Sequence, residues 1–112
     1  MKNFFPVPKP RTLVSPTLRQ SARGRACSVR WSLSCDGSGE TTVLAHLRKW
    51  SGAGIAQKPD DTFAVFACAA CHDCIDGRRH CDVPEAELLR ALRETQSVWL
   101  AEGLLTVKGA KC

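Results

Sequence analysis

The alternation of apolar and polar positions changes character several times along the chain. Up to about residue 20 it shows no rhythm. Four of the six prolines fall between residues 1 and 16, among Ser and Thr, which predicts a flexible, disordered basic leader over residues 1–20. Val29-Arg30-Trp31-Ser32-Leu33 then alternates apolar with polar, as a half-buried strand does, with Cys27 and Cys35 bracketing it. Asp36-Gly37-Ser38-Gly39 reads as a turn, and the β-branched run over residues 41–47 suits a second strand with His46 near its end. Residues 51–54 and 58–61 read as loops, and the unbroken apolar stretch over residues 63–67 as a short buried strand leading into Cys68.

Helical spacing takes over afterwards. Residues 71–75 suit a short helix stopped near Gly77. Asp82, with Pro84 and Glu85 behind it, resembles a capped helix start with a reciprocal glutamate. Leu88, Leu89, Leu92, Gln96 and Trp99 then fall on one face, read as core packing, and Gly103 ends the helix. Short strands followed by a helix, with no internal repeat, predict a small α+β domain over residues 21–112.

Composition narrows the class. At 112 residues there is room for one ordinary core. With 44% hydrophobic and 24% charged residues the chain is of globular type, so collagen-like, coiled-coil and wholly disordered readings drop out. The longest apolar run, residues 63–70, is far below the ~20 residues of a membrane span, and prolines interrupt any secretory h-region at the N-terminus. No membrane association is expected, and the cytoplasm is the expected location. The net charge of +5 is lopsided: residues 1–30 carry seven Lys or Arg and no acid, whereas the remainder is net negative. A basic arm of this kind suits a polyanion, and it equally suits a solubilising tail.

Seven cysteines in a chain without an evident export signal point to metal ligation before disulfides. Cys68 and Cys71 have the two-residue spacer of a metal knuckle, and Cys27 with Cys35 can complete a tetrahedral zinc site if the segment between them folds back. Cys68, Cys71, Cys74 and Cys81 form an alternative set that spacing leaves open. Bound zinc would supply folding free energy to a small core. Cys68-Ala69-Ala70-Cys71-His72 also matches the haem-attachment pattern, but that chemistry belongs to exported proteins and the only methionine is Met1, so no haem is expected. A thioredoxin-type site would need a βαβ unit, which the pattern lacks.

His72 and Asp76 are four apart, so a helix would set them on one face where they could share a divalent ion, Mg²⁺, Mn²⁺ or Zn²⁺, with positions left open for substrate. His46, brought beside that ion, could take a proton from water. The plainer alternatives are a core histidine for His46 and a salt bridge to Arg78 or Arg79 for Asp76.

Thr41-Thr42-Val43-Leu44-Ala45-His46, Lys58-Pro59-Asp60-Asp61 and Ala67-Cys68-Ala69-Ala70-Cys71-His72-Asp73-Cys74-Ile75-Asp76-Gly77-Arg78 together resemble the YbcO-like nuclease family of lambdoid phages and prophages, within the HNH or His-Me finger superfamily. The likeness runs from Ala22 through Arg78, continues more weakly over the last helix and leaves out the leader. It implies a zinc-stabilised ββα-metal fold in a bacterial host cell, with His46 activating water and His72 binding the catalytic metal. It also implies Asp76 as a further ligand and Cys27, Cys35, Cys68 and Cys71 as the structural zinc site. Two positions depart from the pattern. Ala45 stands where many HNH enzymes carry an acidic ligand, and the middle asparagine has no counterpart, although Asp61 could orient His46 or hold metal.

The expectation is therefore a metal-dependent endonuclease that hydrolyses phosphodiester bonds in DNA, with RNA the other candidate polymer. Arg23, Arg25, Lys58, Arg78 and Arg79 would contact phosphates without reading bases. The rival class is a non-catalytic zinc-binding nucleic-acid module, such as a recombination accessory protein. A third is an adaptor that docks through the last helix. Nothing in the sequence specifies an oligomeric state.

Overall fold

The computed structural model describes residues 12–50 and 59–111, built around a two-stranded antiparallel sheet. β1 (Val43–His46) and β2 (Ala64–Ala67) pair in the register Val43↔Ala67, Leu44↔Phe66, Ala45↔Val65 and His46↔Ala64. Ahead of them lies α1 (Pro16–Gln20); behind them come α2 (Ala69–Ile75) and α3 (Glu85–Ala101), and a 3₁₀ turn, Arg48–Trp50, follows β1. The result is a small α+β domain with three α-helices among the described residues.

Both faces of the sheet are covered. Ala45, Val65 and Ala67 pack on one side with Cys27, Val29, Leu47, Cys68, Cys71, Leu88 and Ala91; Leu44, Ala64 and Phe66 pack on the other with Leu18, Ala22 and Trp99. This two-sided burial is why residues 63–67 read as an unbroken apolar run rather than an alternating one. The free edge of β2 is closed by side chains. Ser28 donates from its backbone N–H and its hydroxyl to the Phe66 carbonyl, both at 2.8 Å, and the Phe66 N–H donates to Thr95 Oγ1 at 3.2 Å. Buried Thr95 thus satisfies a backbone N–H that would otherwise be orphaned.

α3 carries Leu88, Ala91, Thr95 and Trp99 inward. Leu89, expected on that face, is 67% exposed, and Gln96 reaches the Thr62 carbonyl instead of the core. Trp99 packs edge-on against Phe66, centroids 6.0 Å apart, and donates Nε1–H to Ser21 Oγ at 2.8 Å, tying α3 to the end of α1. The helix closes at Gly103 as expected. The Leu104 N–H returns to the Trp99 carbonyl at 2.9 Å and the Gly103 N–H to Leu100 at 3.2 Å, a Schellman turn made possible by φ +72° at Gly103.

Three local expectations are corrected. No strand forms over residues 29–33. Arg30 adopts φ +52°, and the Arg90 guanidinium takes the Ser28 and Val29 carbonyls at 2.9 Å each, so this backbone is spent on packing rather than on a ladder. Asp82 does not cap α3: Pro84 is the N-cap, and Glu85 accepts from Trp50 Nε1 at 2.5 Å instead of reaching back. The leader is also shorter than expected, because residues 16–20 are α1. Ser15 accepts the Leu18 N–H at 3.1 Å, Pro16 starts the helix and Leu18 is buried, a start signal carried by the Ser15-Pro16 pair itself. The loop expected at residues 51–54 lies outside the described residues, as does most of the expected leader.

Candidate active site

Cys27, Cys35, Cys68 and Cys71 converge, with every Sγ within 4.8 Å of every other, and together they could hold a metal ion. Cys68 and Cys71 sit at the N-cap and in the first turns of α2; Cys27 and Cys35 come from the loop that wraps α2. Backbone N–H groups point at the sulfurs: Arg30 to Cys27 at 3.5 Å, Ser32 to Cys71 at 3.5 Å and Asp36 to Cys68 at 3.3 Å. The segment between Cys27 and Cys35, expected as a strand, is therefore a sulfur-wrapping loop. Burial pushes the Cys68 thiol up, but N–H donation from Cys71 and Asp36 and contacts with the Cys71 and Cys35 sulfurs outweigh it, giving a value of about 7. Cys35 moves the opposite way, raised by burial and by neighbouring Cys27 and Cys71. Four sulfurs this close cannot all carry charge without a cation between them. The alternative set is excluded in this structure because Cys74 is joined to Cys81 in a disulfide, with Cα atoms 5.3 Å apart.

Further along α2 a second constellation forms. His46, at the end of β1, and His72 and Asp76, at the end of α2, line one cavity of about 210 Å³ with Leu44, Arg48 and Pro59. His72 Nε2 lies 3.1 Å from Asp76 Oδ2. Asp76 is the C-cap of α2, and Gly77, at φ +78°, turns the chain so that the Arg78 N–H reaches the Asp73 carbonyl at 2.8 Å. That turn swings the Arg78 guanidinium back over the helix end, 2.8 Å from Asp73 and 3.0 Å from Asp76. Arg79 lies 3.8 Å from Asp73. The expected salt bridge to Arg78 is thus formed at Asp76, whose Oδ2 His72 also faces.

His46 Nε2 lies 2.7 Å from Asp61 Oδ1. The other oxygen, Oδ2, accepts the Ser15 N–H at 2.7 Å and Arg19 Nε–H at 2.9 Å. Burial raises the Asp61 carboxyl, whose side chain is 1% exposed, but Arg19, the Ser15 N–H and His46 together hold it below the usual carboxylate range. An ionised carboxylate only accepts, so Nε2 is the donor in this pair, and in the neutral form of the ring the lone pair is on Nδ1.

Other expected residues are dispersed. Arg25 is drawn into the fold, donating Nε–H to the Ser21 carbonyl at 2.6 Å, pairing with Glu102 and stacking over Phe66. Arg23 is exposed. Lys58 and Cys112 lie outside the described residues. Sequence reading missed Arg19 and Ser15, whose only signal was the helix start at Ser15-Pro16, and it missed Arg48 in the cavity wall.

A buried thiol cluster and a separate cavity lined by two histidines and an aspartate, in a two-stranded α+β domain, define a small protein with a potential metal centre and a polar cleft. The chain belongs to the YbcO family: the family model described as "Putative nuclease YbcO" matches residues 16–104. It is 46% identical over 91 residues to "Putative nuclease YbcO" of Escherichia coli strain K12, covering 79% of this chain and 95% of that one. The protein of the same name from Enterobacteria phage 82 matches at the same identity and coverage. A solved structure, "Structure of a putative bacteriophage protein from Escherichia coli str. K-12 substr. MG1655", superposes with a TM-score of 0.60 at 43% identity, covering 78% of this chain and all of that one. No helix among the described residues is long and apolar enough to cross a membrane.

Proposed function

We propose that this chain is a metal-dependent endonuclease of the HNH type, hydrolysing phosphodiester bonds in DNA, with a structural zinc at Cys27, Cys35, Cys68 and Cys71. The observation that carries the reading is the shared cavity: two imidazoles from different elements and a carboxylate face one space. The succession of β1, β2 and α2 is the order that a ββα-metal core requires.

The residues fit both ions. The Cys35 and Cys68 sulfurs are 3.8 Å apart, the edge of a tetrahedron with zinc–sulfur bonds of about 2.3 Å. His72 Nε2 and Asp76 Oδ2, 3.1 Å apart, match neighbouring ligands of an ion with bonds of about 2.1 Å. When bound there, a divalent cation supplies charge stabilisation to the phosphate and to the leaving oxygen. His72 and Asp76 would hold that ion. Asp61 accepts the Nε2 proton of His46 and fixes the ring, so that Nδ1 takes a proton from the attacking water. Arg23, Arg78 and Arg79 steer the backbone by charge without reading bases.

Nicking of supercoiled plasmid by purified protein with Mg²⁺, Mn²⁺ or Zn²⁺ tests the proposal. The parent should cut and His46→Ala should not, with zinc content unchanged in both. A second reading, a non-catalytic zinc-binding nucleic-acid module, is favoured by one observation: Asp76 is already engaged by Arg78. Salt-sensitive DNA binding without cleavage in any of the three metals would establish that module instead.

A further inference from the structure

We propose that Arg19 is a positioning residue for His46: through Asp61 it fixes which ring nitrogen of His46 is basic. The proposal rests on the reading of His46 as the base and adds to it a residue from outside the strand–strand–helix core. Ser15 and Arg19 are four apart across the start of α1, so the Ser15 N–H and the Arg19 side chain reach the same carboxylate oxygen from one side. Both donate to Asp61 Oδ2, which leaves Oδ1 for His46 Nε2. The carboxylate therefore has one end assigned to α1 and the other to the imidazole.

The arm is held in place independently of this contact. The Leu13 N–H donates to Asp60 Oδ1 at 2.7 Å, and the Asp61 N–H returns to the Leu13 carbonyl at 3.0 Å, stitching residues 13 and 60–61 together. Leu18 is buried with Leu44, Phe66 and Trp99, which sets the rotation of α1. Arg19 is 43% exposed and Asp61 is not, so the charge that compensates the buried carboxylate comes from a side chain that bridges solvent and core. Without it, a buried carboxylate gains by taking a proton. A protonated Asp61 can donate to Nε2, moving the ring proton to Nδ1 and leaving no lone pair there to accept a proton from water. Arg19 prevents that exchange.

The test combines ring-nitrogen NMR with kinetics on the full chain carrying its bound metal. With ¹⁵N-labelled histidine, parent His46 should show the Nε2–H tautomer at neutral pH, identified among the three histidines by loss of its signals in His46→Ala. Arg19→Ala should shift His46 toward the Nδ1–H tautomer and lower kcat for plasmid nicking by about tenfold to a hundredfold with KM unchanged. Arg19→Lys, which restores a charged donor, should recover the parent tautomer and most of the rate. If Arg19→Ala fails to fold, Arg19→Gln, which keeps an N–H without charge, replaces it with the same expectations. Parent-like His46 signals in the uncharged variant overturn the proposal, as does a rise in KM at constant kcat, which would make Arg19 a substrate contact. A parent that cuts no plasmid overturns the nuclease reading alone, and the tautomer comparison, which needs no turnover, still decides the role of Arg19.

Discussion

Asp61 and His46 meet at 2.7 Å across the start of the sheet, one from the loop before β2 and the other from the last position of β1. The pair is asymmetric: the carboxylate is sealed inside, whereas the imidazole is 19% exposed and opens onto the cavity that also holds His72 and Asp76. A buried acceptor behind a partly exposed ring is an arrangement suited to proton transfer, because the carboxylate fixes the ring while the side chain lines the cavity.

Removing either partner should have a different signature. His46→Ala should lower nicking by at least ~10²-fold, because it deletes the proposed base, and cost about 1 kcal/mol of stability, because it leaves Asp61 Oδ1 without its partner. Asp61→Ala should lower both. It strands the Ser15 N–H, Arg19 and His46 together, a loss of about 3 kcal/mol read from urea unfolding. Equal stability of Asp61→Ala and the parent would show that the carboxylate is not structurally engaged.

Acid should unfold the protein through Asp61 and Glu94. Both are held below the ordinary carboxylate range, Asp61 against the upward push of burial and Glu94 chiefly by Arg30. The folded state therefore binds fewer protons than the unfolded chain in this window. The stability they contribute is complete above about pH 5 and is lost as pH falls through the folded-state values. Tm followed from pH 5 to pH 2 should drop steeply in the parent and less steeply in Asp61→Asn. Parallel curves would remove Asp61 from the account.

Metal removal should act through the thiol cluster. One zinc per chain is expected by elemental analysis, and a chelator that strips it should release several kcal/mol of folding free energy. Thiol titration gives a sharp count. With four sulfurs on a metal and Cys74 joined to Cys81, at most one of the seven cysteines should react in native protein, and chelated, denatured protein should show five. Three reactive thiols in the native state would mean that the Cys74–Cys81 bond is open.

Gly77 offers a probe of the turn that orients Asp76. A Cβ added there meets nothing within 4 Å, so Gly77→Ala carries only the cost of φ +78°, about 1 kcal/mol. The expected result is a small loss of stability by thermal melting, together with weakened Mn²⁺ binding if Asp76 shifts. A variant as stable as the parent would show that the Schellman turn relaxes without strain.

The sequence alone determined the elements whose reasons are local. The β-branched run ending at His46, the apolar run before Cys68 and the glycine stops at Gly77 and Gly103 all formed where their residue types required. Spacing offered Cys27 and Cys35 as partners for Cys68 and Cys71 but left the set with Cys74 and Cys81 open, and only the folded positions of the sulfurs decided between them. Tertiary structure decided what depended on distant partners. Val29–Leu33 alternates like a strand, yet its backbone goes to Arg90 and to sulfur atoms, contacts separated by tens of residues that no local pattern records. Leu89 lost its inward place to Ala91 and Thr95, because close approach of α3 to β2 favours small side chains and a hydroxyl that can answer the free edge of the strand. Arg19 is the clearest case. Its role arises only when α1 is seated by Leu18 against Leu44 and Trp99, and a charge 42 residues from its carboxylate acquires meaning through that packing alone.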